Sequence, residues 1–200
     1  MYLFKTEPYD HQKIAFDESW ERNAFALFME MGTGKTKVAI DTLGALYETG
    51  RVEAALVIAP KGVYANWVNK EIPQHLPDRI ERKVVLWQPN VTQKFKAELR
   101  DVATRKASGV LRIFVMNTEA LSTKKGKDVA NRFLDLNQDS FVVVDESTSI
   151  KNRSAQRTKN IIALGKKAKY RRILTGSPIT KNPMDLFSQC GFLGAKLLGF

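Results

Sequence analysis

The sequence predicts an α/β fold: a central, mostly parallel sheet with helices on both faces. Three observations carry that expectation. Short apolar, β-rich runs alternate with longer helical patterns, one of those runs contains no polar residue, and one intervening stretch repeats its apolar residues at helical spacing. With 200 residues, 44% of them hydrophobic, the chain is long enough to bury about 70% of its unfolded surface, so a folded core is expected rather than disorder.

In chain order the expected strands are Phe25 to Phe28, Ala55 to Ala59, Val84 to Trp87, Leu111 to Met116, Phe141 to Val144 and Arg172 to Thr175. Phe141-Val142-Val143-Val144 offers nothing to water on either side, which places it in the middle of the sheet under two helix layers. Val91, Phe95, Leu99 and Val102 recur at spacings of four, four and three, the core-facing stripe of an amphipathic helix within Val91 to Arg105. Ser122 to Asp128, with Lys124-Lys125-Gly126-Lys127, reads as an exposed loop or helix start that adds to the basic surface. Pro73, Pro77, Pro178 and Pro183 mark loops between elements, and with no repeat or low-complexity tract the expectation is one domain over residues 1–200.

Several function classes drop out. No run approaches the ~20 apolar residues of a membrane span, and Met1 to Asp10 lacks a signal-peptide layout, so a cytoplasmic protein without a membrane partner is expected. One cysteine, Cys190, and two histidines cannot build a Cys/His zinc cage. Charge points the other way: 32 basic against 21 acidic residues give +11, which favours a polyanion through counterion release. Ser147 to Met184 holds no acid but ten bases: Lys151, Arg153, Arg157, Lys159, Lys166, Lys167, Lys169, Arg171, Arg172 and Lys181. A run of that kind can equally be a solvated face.

After the first strand comes Met29-Glu30-Met31-Gly32-Thr33-Gly34-Lys35-Thr36, followed by the helical pattern Val38, Ala39, Leu43, Leu46, Tyr47. Strand, glycine loop and helix stand in the order a phosphate-binding loop requires. Gly32 and Gly34 permit backbone angles that turn successive N–H groups inward, and the helix N-terminus adds its positive end. Lys35 would reach the β- and γ-phosphates of ATP or GTP, and the Thr36 hydroxyl would hold Mg²⁺. Met29 stands where the strict G-x-x-x-x-G-K-[ST] pattern has its first glycine.

Asp145-Glu146 directly follow the apolar central strand, at the carboxyl end where open α/β sheets place ligands. Asp145 is expected to hold the metal shell and Glu146 to polarise the attacking water. Taken alone, such a pair would sooner be read as capping the next helix.

These blocks, in this order, resemble the first RecA-like lobe of superfamily 2 helicases, most closely the Swi/Snf-like DNA translocases. Pro8-Tyr9-Asp10-His11-Gln12 resembles the Q motif, and Met31 to Thr36 resembles motif I, whose family form also lacks the first glycine. Ile58-Ala59-Pro60-Lys61 with Asn66-Trp67 and Glu71 is similar to motif Ia, and Val115-Met116-Asn117-Thr118 to motif Ib. Asp145-Glu146-Ser147-Thr148 with Lys151-Asn152 is similar to motif II, and Leu174-Thr175-Gly176-Ser177-Pro178-Ile179 with Asn182 to motif III. Asp185-Leu186-Phe187 with Phe192-Leu193 is similar to the segment that follows it.

The resemblance implies ATP with Mg²⁺. Gln12 would read the adenine edge, Gly32, Thr33, Gly34, Lys35 and Thr36 would hold the nucleotide, and Thr36 and Asp145 would hold the metal. Lys61, Asn117 and Thr118, with Lys151, would face nucleic acid, duplex DNA by analogy. Thr175, Gly176 and Ser177 would couple the two sites. Trp67 fits a core position as well as a contact role.

Two departures from the pattern matter. Thr148 replaces the histidine of D-E-A-H, so any polar link from the carboxylate motif to Thr175 must be made differently; the Asp-Glu-Ser-Thr form is similar to that of phage-borne relatives. Nothing up to Phe200 resembles the family's second lobe, so a partner lobe in cis or in trans is expected to complete the motor. Two other classes remain open at this stage: a non-catalytic nucleic-acid-binding module that has kept the fold, and a small-molecule P-loop kinase, for which the sequence shows neither acceptor pocket nor lid.

Overall fold

The computed structural model describes residues 2–90, 92–103, 109–179 and 183–194. Within them the chain alternates helix and strand as expected: α1 Asp10–Ser19, β1 Ala24–Phe28, α2 Lys35–Glu48, β2 Ala54–Ala59, α3 Tyr64–Asn66, α4 Ile72–His75, β3 Arg82–Leu86, α5 Gln93–Ala103, β4 Leu111–Asn117, α6 Lys124–Asp135, β5 Ser140–Val144, α7 Gln156–Gly165, β6 Tyr170–Thr175 and α8 Asp185–Leu193. The strands form one six-stranded sheet, order β1-β6-β5-β2-β4-β3, and every pairing is parallel. All carboxyl ends therefore emerge on one edge, which is what gathers the loops of the site.

Alternation along the strands divides the core between the two faces. Ala55, Val57, Ala59 and Val143 turn toward Val38, Ile40 and Leu43 of α2, with Phe16 of α1 in the same layer. Leu56, Ile58, Val142 and Val144 turn toward Phe95 of α5, Phe133 of α6, Leu164 of α7 and Phe192 of α8. β5 lies between β2 and β6 with every residue buried, and each of its valines contributes roughly 1.5–3 kcal/mol through burial. Phe95 and Val102 are buried on the expected stripe; Val91, Thr104 and Arg105 lie outside the described residues. Lys124 opens α6, capped by the Thr123 hydroxyl accepting from the Gly126 N–H at 3.0 Å.

Two expectations change. Pro73 is helical, at the start of α4. A π-helical turn, Trp67–Glu71, runs directly into α4, and its wider spacing accommodates a residue that has no N–H to give. The acid-free stretch is not one outward basic face. Arg172 is fully buried, its guanidinium donating to the Ser19 carbonyl at 2.6 Å and the Arg171 carbonyl at 2.8 Å, which ties the end of α1 to the sheet. Burial holds that guanidinium down at about 10. Lys167 pairs with Asp135 at 2.6 Å and Lys169 with Asp139 at 2.8 Å, at the amino ends of the strands. Arg153 lies 3.7 Å over the ring of Phe187, and Lys181 is outside the described residues. Among the described residues no helix is long and apolar enough to cross a membrane.

Candidate nucleotide site

The loop between β1 and α2 and the acidic pair after β5 open onto one cavity of about 450 Å³. Gly32, Gly34, Lys35 and Thr36 line it together with Asp145 and Glu146. Gly32 and Gly34 take left-handed backbone angles, φ 79° and 85°, as an inward-turned loop requires. A side chain on Gly32 would meet open space, whereas one on Gly34 would run into the Gln12 amide. Lys35 is the first residue of α2, and its ammonium donates to the loop carbonyls of Met29 at 3.0 Å and Glu30 at 2.9 Å. A phosphate entering the loop would compete with those carbonyls for the same cation.

Gln12 is hydrogen-bonded to the glycine loop. Its Oε1 accepts the Tyr9 N–H at 3.1 Å, and its Nε2 donates to the Thr33 carbonyl at 3.0 Å, which the His11 Nε2 also reaches at 3.0 Å. The buried amide thus braces the glycine loop against the start of α1.

Asp145 is 8% exposed, and both carboxylate oxygens are held: Oδ1 by the Glu146 N–H and Oδ2 by the Trp67 indole N–H, each at 2.9 Å. Burial pushes the carboxyl up, and these two donors with the Lys35 charge oppose it. Glu146 is raised first by burial and then by its acidic neighbour, with Lys35 opposing. Among the described residues Glu146 alone is non-glycine with positive φ, at φ 46° and ψ 60°. Such a conformation costs about 1–2 kcal/mol and bends the chain sharply off β5, leaving the Glu146 side chain in the cavity while Ser147 turns inside.

A magnesium ion suits this donor set. Thr36 and Asp145 are hard oxygen donors on the same cavity, and among the described residues no group of three or more His, Cys, Asp or Glu could hold a metal by itself. Thr36 and Asp145 would hold such an ion only with the help of oxygens from a bound ligand, as magnesium sites commonly do.

Trp67 is the residue that sequence reasoning left undecided. It is buried among core residues, and it also grips the carboxylate expected to bind metal. The π-turn also brings Lys70 and Glu71 to the cavity wall, and burial raises the Glu71 carboxyl. Thr175 at the end of β6 is buried, its hydroxyl accepting the Ser177 N–H at 3.1 Å. The turn after it lies on the glycine loop itself: a side chain on Gly176 would stand 3.3 Å from the Met31 nitrogen and 3.4 Å from the Met29 carbonyl.

The residues expected to face nucleic acid divide. Lys61 is exposed just beyond β2, and Asn117 ends β4 on the same edge, its amide donating to the Glu119 carboxylate at 3.0 Å. Thr118 points inward, 1% exposed, because it opens the short 3-10 turn Thr118–Ser122 that buries Ala120 and Leu121. Lys151 stands 3.7 Å from Asp185 of α8, joined to that helix rather than projecting from the edge.

The chain is similar to known proteins. The chain is 32% identical over 164 residues to the SWI/SNF-related matrix-associated actin-dependent regulator of chromatin subfamily A containing DEAD/H box 1 of Xenopus tropicalis, covering 82% of this chain and 15% of that protein. It is 31% identical over 165 residues to the DNA annealing helicase and endonuclease ZRANB3 of Bos taurus, covering 80% of this chain and 13% of that one. The chain therefore spans about a seventh of the length of these relatives. Its fold superposes on the Sulfolobus solfataricus SWI2/SNF2 ATPase core in complex with dsDNA at a TM-score of 0.76 and 26% identity, covering all of this chain and 38% of that one. The UvsW helicase from bacteriophage T4, at 13% identity and a TM-score of 0.63 over 94% of this chain and 58% of its own, shares the fold. Residues 9–199 match the SNF2-related domain, and with the parallel sheet and glycine loop already in place the chain belongs to that family.

Proposed function

We propose that this chain is the ATP-binding lobe of an ATP-driven DNA translocase or helicase, one domain working with a second RecA-like lobe in cis or in trans. The observation that carries the reading is the shared cavity: a glycine loop with its lysine and an Asp-Glu pair line one space of about 450 Å³. In this reading the loop amides and Lys35 hold the triphosphate, Thr36 and Asp145 hold Mg²⁺, and Glu146 orients the attacking water. Mg²⁺, when bound, would neutralise charge on the phosphate oxygens. Lys61 and Asn117 on the carboxyl edge would take DNA phosphates, and Thr175, Gly176 and Ser177 would pass the state of the nucleotide to that edge. The SWI2/SNF2 core that superposes here is in complex with dsDNA, which supports duplex DNA as the partner. A cytoplasmic setting, in a prokaryote or a phage-infected cell, belongs to the same reading.

The 200 residues by themselves are expected to bind nucleotide and turn it over slowly. In the resembled motors an arginine from the facing lobe stabilises the transferring phosphoryl group, a contribution of roughly 10³ to 10⁵ in rate. Mg-ADP at a hundred times its Kd stabilises a native state by about 2.7 kcal/mol, a rise in Tm of roughly 5–10 °C for a chain this size. Lys35→Ala should abolish that rise. No rise in the parent chain would refute nucleotide binding and leave the non-catalytic DNA-binding module as the better reading.

A further inference from the structure

Thr148 stands where the resembled pattern has histidine, and among the described residues no hydrogen bond joins its side chain to Thr175, Gly176, Ser177, Pro178 or Ile179. A polar connection exists nonetheless, one residue earlier and through a different helix. Ser147, directly after Glu146, donates its hydroxyl proton to Gln189 Oε1 at 2.6 Å. Gln189 Nε2 donates to the Pro178 carbonyl at 2.8 Å and to the Asp185 carbonyl at 2.9 Å. Both side chains are fully buried, in a layer that includes Ile150, Ile173 and Phe192.

The amide is fully committed, with its carbonyl oxygen on the hydroxyl and its two N–H groups on two carbonyls, so it cannot be flipped without leaving buried groups unpaired. The bond to Asp185 lies within α8 and fixes the amide's orientation. The other two reach the residue after Glu146 and the residue two after Gly176, which rests on the glycine loop. A second contact from α8, Ser188 Oγ to the Lys151 carbonyl at 3.4 Å, ties the helix to the same turn beyond the acidic pair.

We propose that Gln189 is a positioning residue that couples the carboxylate motif to the turn after β6, through Ser147 on one side and the Pro178 carbonyl on the other. It makes from α8 the connection that Thr148 does not make among the described residues. The proposal rests on the nucleotide-site reading above. When nucleotide and metal engage the Asp145-Glu146 turn, Ser147 moves or stiffens with it, and α8 with the Pro178 turn follows.

The test separates coupling from simple packing. Ser147→Ala with Gln189→Leu removes the polar partners from both ends of the hydroxyl–amide bond and leaves an apolar pair, which restores buried complementarity without the relay. Hydrogen exchange of residues 185–193 is measured with and without Mg-ADP, alongside the Kd for fluorescently labelled ADP. In the parent chain Mg-ADP is expected to slow exchange in that segment about fivefold, the low end of a usual coupling. The double variant should bind Mg-ADP within about twofold of the parent yet show no slowing there beyond about twofold. Ser147→Ala alone, deletion of one hydroxyl, cuts the relay at its first bond and should lose the slowing too. Slowing retained in either variant, or absent from a parent chain that binds Mg-ADP, overturns the proposal. A parent that fails to bind Mg-ADP overturns the nucleotide reading first, and the proposal falls with it.

Discussion

Replacing Lys37 by methionine removes the counter-ion of a carboxylate that water scarcely reaches. Lys37 sits in the first turn of α2 among the residues that line the nucleotide cavity, and its ammonium lies 2.6 Å from Asp41 Oδ2 and 5.2 Å over the Phe4 ring. The two side chains are 6% and 2% exposed. Breaking a buried pair from one side leaves an uncompensated charge, which costs about 3–5 kcal/mol, whereas replacing both partners by apolar groups is close to neutral. The pH dependence follows from Asp41. Burial pushes its carboxyl up to about 6 from 3.8, against the hydrogen bond and charge of Lys37. Between those two values the native state binds more protons than the unfolded state, so stability falls as pH rises through that window, by about 3 kcal/mol for a two-unit shift, and levels off above it. Without Lys37 both opposing influences vanish, the native value climbs further, and the fall continues above pH 6. Urea titrations followed by circular dichroism at pH 5 and pH 8 test this. Lys37→Met should be about 3–5 kcal/mol less stable than the parent at pH 8, and the gap should narrow at pH 5. Lys37→Met with Asp41→Leu should recover to within about 1 kcal/mol of the parent at pH 8. Equal deficits at both pH values, or a double variant no better than the single one, would refute this account of the pair.

Gly34→Ala should abolish Mg-ADP binding measured by calorimetry, since it forces a side chain into a backbone at φ 85° and against the Gln12 amide; Gly32→Ala, facing open space, should bind more weakly but measurably. Trp67→Phe keeps a ring in the core and deletes the indole N–H on Asp145. Metal-free ADP affinity should stay unchanged while the Mg²⁺ concentration for half-maximal tightening rises about tenfold, as for other groups that hold a metal ligand in place; an unshifted Mg²⁺ midpoint would show the bond to be idle. Lys166, Lys167 and Lys169 changed together to glutamate should leave DNA affinity at low salt unaltered, because that segment joins α7 to the amino end of β6, whereas Lys61→Glu on the carboxyl edge should weaken it. The reverse ranking would mean that DNA lies across the other end of the sheet.

The strands were legible because their apolar runs are local. Phe141 to Val144 sits between two neighbouring strands under both helix layers, as its lack of polar residues demands. Errors came where a strand carries charge: β3 starts at Arg82 and β6 at Tyr170, so each includes basic residues that hydropathy reads as loop. Arg172 is the extreme case, a fully buried guanidinium that donates to the carbonyl of a helix end 153 residues away, which no local pattern encodes. The same division runs through the site. Glycine loop and acidic pair are short motifs whose chemistry is visible in their order. The partners that hold them are not: Trp67 meets Asp145 across 78 residues, and Ser147 meets Gln189 across 42. Thr118 shows the converse failure, a motif residue turned inward by the short turn it begins.

The central claim is that the loop of residues 32–36 and the acidic pair at 145 and 146 serve one magnesium nucleotide. A crystal structure of the chain with Mg²⁺ and a non-hydrolysable ATP analogue tests it most directly. The expected result is the β- and γ-phosphates inside the loop with the Lys35 ammonium moved onto them, and the metal reached by Thr36 and Asp145. A nucleotide seated elsewhere, or a metal on its phosphates that Asp145 does not approach, would contradict the account.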